Sequence, residues 1–155
     1  MLARLRQYLK NPDLNHVEAL SLLRMVFLLM FAMQLLVAAL LALVLAVVFE
    51  RSGVTTPLVA QILIFLAFFQ LPFAVYLPQL AVRVGGRQAA LSATIMSAVL
   101  LSVPAYFTSF AALIGSPMSY LVILFAILMG YYALGLFMVS GFAQIALQPQ
   151  KTEAS

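Results

Sequence analysis

The side chains best equipped for chemistry in this chain are few and lie at its edges. Its acids are Asp13, Glu18, Glu50 and Glu153, and its single histidine is His16. Between Arg24 and Lys151 only Glu50, Arg51, Arg83 and Arg87 carry charge. Acid–base catalysis, nucleophile activation and metal ligation need such groups gathered in one site. No Ser–His–acid set can be assembled, because His16 and every acid fall outside the long uncharged runs. His16 beside Glu18 fits a helix start. The chain has no cysteine, so disulfides, thiolate metal sites and thiol nucleophiles are absent. Haem would want axial histidine pairs within a bundle, and Gly85-Gly86 lacks the rest of a nucleotide fingerprint. No catalytic residue, metal ligand or cofactor is expected, and nothing points to nucleic acid.

What the interior offers is neutral. Gln34, Gln70, Ser102, Tyr131 and Tyr132 fall near mid-depth of the apolar runs that contain them. Pro72 and Pro104 lie at similar depth, each freeing a carbonyl four residues earlier and kinking its helix. A glutamine amide in hydrocarbon needs partners. The freed carbonyls and the tyrosine hydroxyls are the candidates. Such a band serves either as interhelical glue or as a pocket for an uncharged amphipath, and packing is the commoner use. Proton-coupled transport usually rests on an intramembrane carboxylate or relay. A duplicated rotary-ATPase proteolipid or a small multidrug transporter would carry one, and this chain has none.

The elements that must position this band follow from charge and length. The uncharged runs are residues 25–49, 52–82 and 88–150. A membrane-spanning helix needs about 20 apolar residues. The first two runs therefore hold one helix each, and the third holds two, divided at Gly115-Ser116-Pro117. The expected spans are about 25–49, 57–80, 88–114 and 117–146. Composition agrees: 66% of residues are hydrophobic and 8% charged, against about a quarter charged in a soluble domain. The first run is longer than a signal-peptide core of about 7–15 residues and is expected to stay in the mature protein.

Residues 1–24 form the N-terminal segment, one membrane domain with the rest. Leu2, Leu5 and Leu9 share one helical face away from Arg4, Arg6 and Lys10, a short amphipathic pattern suited to a membrane surface. Asn11-Pro12-Asp13 breaks it, and Asn15 with Glu18 fits a capping box at the start of the first long helix. Thr56-Pro57 and Ser116-Pro117 each read as a cap followed by a first-turn proline. Residues 147–155 are expected to be a disordered tail.

Small residues spaced by four (Ala38, Ala42 and Ala46; Ala89, Ala93 and Ser97; Ala126 and Gly130) would let helices approach closely, with Gly135 and Gly141 thinning the last span. Phe49, Tyr106, Phe107, Phe110 and Tyr120 read as an interfacial belt. In a four-span arrangement Arg4, Arg6, Lys10, Arg24, Arg83, Arg87 and Lys151 fall on one side and only Arg51 on the other. The positive-inside rule puts that side in the cytoplasm, both termini included, and makes the other two turns external hairpins.

The expected architecture is an all-α, four-helix bundle spanning a bacterial-type inner membrane. The expected role is non-enzymatic: an accessory, assembly or scaffold subunit whose partners are the lipid bilayer and other membrane subunits or further copies of itself. The alternative is a small homo-oligomeric transporter or binding protein for a neutral or amphipathic ligand, quinone- or lipid-like, held by the mid-depth band.

Overall fold

The computed structural model describes Tyr8 and residues 15–48, 57–83 and 85–147. Within these residues all regular structure is helical: α1 (His16–Val48), α2 (Pro57–Val82), α3 (Gly86–Leu101), α4 (Val103–Leu113) and α5 (Met118–Ile145). Apart from Tyr8, the expected amphipathic segment, the breaker at 11–13, the turn at 49–56 and the tail from 148 lie outside the described residues.

Four stretches are long and apolar enough to cross a membrane: α1, α2, the α3–α4 pair and α5. The protein is thus an all-α, multi-pass membrane protein. At 33 residues, α1 measures about 50 Å and exceeds a hydrocarbon core of about 30 Å. It is therefore longer than one crossing requires, and its first turns pack the fully buried Ala19 and Leu23 into the bundle. Asn15 precedes it, and the Asn15 carbonyl accepts from Ala19 N–H at 3.0 Å.

The spans are not arranged as two helical hairpins, contrary to expectation. α1 packs on α3, α4 and α5, and so does α2, but α1 and α2 do not touch. The third and fourth spans form the centre and the first two flank it. With interaxial distances of 8–10 Å, the long diagonal of such a rhombus is roughly 16 Å. Eight residues separate Val48 from Pro57 and reach about 26 Å when extended, so the connection is long enough. Burial follows the arrangement, the α3–α4 span being the most buried and α1 the least.

The third span is also broken, where an unbroken helix over 88–114 is expected. Pro104 has no N–H to offer Leu100, and its ring crowds that carbonyl. Ser102 sits between α3 and α4, its hydroxyl donating to Val99 C=O at 2.8 Å. Ala105 N–H turns to Ser102 C=O at 2.9 Å. Pro72, by contrast, lies inside an uninterrupted α2, as does the fully buried Pro78.

Turn chemistry differs from expectation in one place. Ser116 does not cap the last helix; Pro117 holds the cap position, in extended backbone, and the Ser116 hydroxyl is buried without a partner. The turn is made instead by Gly115, at φ 70°. Ser116 N–H bonds Ala111 C=O at 3.0 Å and Gly115 N–H bonds Ala112 C=O at 3.2 Å. This is a Schellman ending, which needs the left-handed residue that glycine supplies. Gly85 and Gly86, also at positive φ, make the reversal between α2 and α3 as the sequence implies.

Two contacts tie the ends. Tyr8, 1% exposed, donates its hydroxyl to Arg87 C=O at 3.4 Å, and the Arg87 guanidinium donates to Tyr8 C=O at 3.0 Å. Tyr8 and the α2–α3 turn therefore share one end. At the opposite end Gln61, one turn into α2, donates to the Tyr120 hydroxyl, near the start of α5, at 3.1 Å.

Candidate functional site: the mid-depth polar band

The five polar residues of the band lie on α1, α2, α5 and the α3–α4 break, and the fold spends them in separate pairs. Gln70, on α2, donates its amide N–H to Leu100 C=O on α3. That carbonyl is the one Pro104 frees, so an acceptor stripped of its helical donor is satisfied from the neighbouring helix. The other amide atom, Oε1, is buried with no partner.

Tyr131, on α5, is buried and donates its hydroxyl to Ala67 C=O on α2. Ala67 is small and fully buried, in a row with Ala60 and Ala74. These three recur every seven residues, the spacing of a helix seam. That row, rather than a four-residue stripe, is how α2 meets the bundle. It was readable from sequence as a heptad.

Gln34, on α1, accepts from the Tyr106 hydroxyl on α4 at 2.5 Å. Tyr106 therefore belongs to the band and not to the interfacial belt. The signal that could have found it is its place two residues after Pro104, within the same broken span. Tyr132 works through its ring, 6.2 Å from Phe27 and 5.4 Å from Phe31, tilted against both. Tilted or edge-on contacts of this kind add about 0.5–1.5 kcal/mol beyond area burial. Ser102 bonds only its own helix end.

Each pair joins a different couple of elements: α2 to α3, α5 to α2, α1 to α4, α5 to α1. No two of the three hydrogen bonds share a partner atom. Interhelical bonds of this kind contribute about 0.6–2 kcal/mol each. Every group is neutral, so the band can orient helices and hydroxyls but offers no titrating carboxylate or imidazole. Among the described residues no three His, Asp or Glu side chains come together as a metal site would require. No family model, curated protein or solved structure matches this chain.

Close packing surrounds the band. A Cβ placed on Gly135 would come within 2.2 Å of the Phe27 ring and 3.0 Å of Leu101. Phe27 is fully buried and stacked on Phe31, so it has little room to yield. Gly130 and Gly141 face open space instead. Of the expected small-residue rows, Ala93 and Ser97 are buried, whereas Ala126 and Gly130 point outward. A cleft of about 540 Å³ exists elsewhere, between the ends of α2 and α5, and no band residue lines it.

Proposed function

We propose that this chain is a non-catalytic accessory, assembly or scaffold subunit that packs against a larger complex in a bacterial-type inner membrane, with both termini cytoplasmic. The observation that supports this best is α1 beyond Ala38. Ala38 is 2% exposed, and none of residues 39–47 is buried. A first span needed only for its own bundle would pack along its full length. This one has no buried residue over 39–47, the last turns of α1. Ala42 and Ala46 continue the Ala38 row along those turns. Such a row lets another helix approach closely where lipid offers no hydrophobic drive. The pairwise spending of the polar band supports the same reading, since those groups already have work within the chain.

A second reading has one observation in its favour. Oε1 of Gln70 is a buried acceptor with no donor, and an uncharged ligand carrying a hydroxyl could supply one. This would make the chain a homo-oligomeric binding or transport protein for a quinol- or lipid-like molecule.

Purification of the full chain from its native membrane in mild detergent separates the two. The accessory role predicts a larger membrane protein in fixed stoichiometry. A homo-oligomer carrying an extractable quinol or lipid alcohol, with no other protein, would replace it by the second reading.

A further inference from the structure

The cleft between the ends of α2 and α5 has the chemistry of a lipid site. Its lining is mostly apolar, with Val82, the buried Met138 and the exposed Phe137, and includes the amides of Gln79 and Gln144. Phe137 lies eight residues before the end of α5 at Ile145, about 12 Å deeper along the helix. Gln79 is three residues from the end of α2 at Val82, and Arg83 follows at once, exposed. Phe137 therefore lies deeper along the span than Gln79 and Gln144, which sit near the helix ends. α2 and α5, which form the walls, contain no acid. This is also the end that bears Arg87, as the contact with Tyr8 shows. Gly141 is among the lining residues, and a Cβ built on it would meet nothing within 4 Å.

We propose that this cleft holds one anionic glycerophospholipid. An acyl chain lies along Phe137, Met138 and Gly141. The glycerol ester and phosphate groups meet the amides of Gln79 and Gln144, and Arg83 supplies the charge that selects an anionic headgroup. A zwitterionic lipid fits the same groove but gains nothing net from the arginine. One interfacial arginine gives a preference of about fivefold.

Native mass spectrometry of the detergent-solubilised full chain, offered phosphatidylglycerol and phosphatidylcholine with the same acyl chains, tests this. The wild type should retain phosphatidylglycerol about fivefold over phosphatidylcholine. Gly141→Phe fills the groove from a position where no protein atom obstructs it, and should lose both lipids while its thermal unfolding stays near that of the wild type. Arg83→Gln should retain both lipids and lose the preference. Equal retention of the two lipids by the wild type would overturn the proposal, as would undiminished retention by Gly141→Phe. A lipid-free dimer of the wild type would assign the cleft to a second copy. Should Gly141→Phe not fold, Arg83→Gln decides alone: a preference that survives it overturns the site.

Discussion

Gln70 shows how a polar side chain is made tolerable in an apolar span. Its donor meets Leu100 C=O, an acceptor that Pro104 has stripped of its helical partner. Gln70→Leu would leave that carbonyl unpaired, and the apolar gain would offset only part of a bond of about 1 kcal/mol. Tyr131→Phe removes the bond to Ala67 with almost no change of volume. Each variant should lower thermal stability in detergent modestly. Unchanged melting in both, with loss of a bound quinol or lipid, would favour the ligand-pocket reading instead. A glutamine that needs a partner was legible in the sequence. Which carbonyl it takes was not, because that depends on which helix stands beside it.

Tyr8 gives a second test at this scale. Burial pushes its phenol from 10.0 up to about 12, and the Arg87 guanidinium pulls weakly the other way. The folded state thus holds the proton more tightly than the unfolded chain. The stability this contributes is complete below about pH 10 and disappears as pH rises through about 12. The tyrosinate absorbance of the wild type minus that of Tyr8→Phe should rise near pH 12. A rise near pH 10 would show an undocked Tyr8.

Among the elements, the fourth span depends most on a missing side chain. Gly135→Ala forces a Cβ against the buried Phe27 ring, and overpacking of this kind costs about 1–3 kcal/mol. Gly130→Ala meets nothing and should stay within about 1 kcal/mol of the wild type, on the stabilising side. Thermal unfolding of the pair in one detergent separates them, and equal loss in both would mean that Gly135 is not a packing contact. Span limits were legible because charge is excluded from hydrocarbon, and the four helices lie close to where the uncharged runs place them. Neighbour relations were not. Two short connections suggested two hairpins, yet α1 and α2 stand apart with the third and fourth spans between them. A partial signal existed: the third span has the most Ser, Thr, Gln and Gly near its first half, as suits a helix enclosed by others. Its break at Ser102 traces to Pro104. Pro72 leaves α2 uninterrupted.

At the scale of the whole molecule, charge and contacts give one consistent arrangement. The Tyr8–Arg87 contact places Tyr8 beside the α2–α3 turn, and Gln61–Tyr120 joins the starts of α2 and α5 at the other end. The seven-to-one Lys/Arg split then predicts which end is cytoplasmic. Reporter fusions at Thr55 and Ser116 should read as external, and fusions at Gly86 and Ser155 as cytoplasmic; an external reading at Gly86 would refute the topology.

The proposed accessory role rests on residues 39–47 of α1, none of which is buried. A photo-crosslinking residue placed at Leu43 or Val47, both well exposed, reports in native membranes on whatever lies against that stretch. The accessory role predicts one discrete adduct with a larger membrane protein at Leu43 or Val47, and none from the equally exposed Phe65 on α2. Adducts with lipid alone, or only with a second copy of this chain, would contradict it.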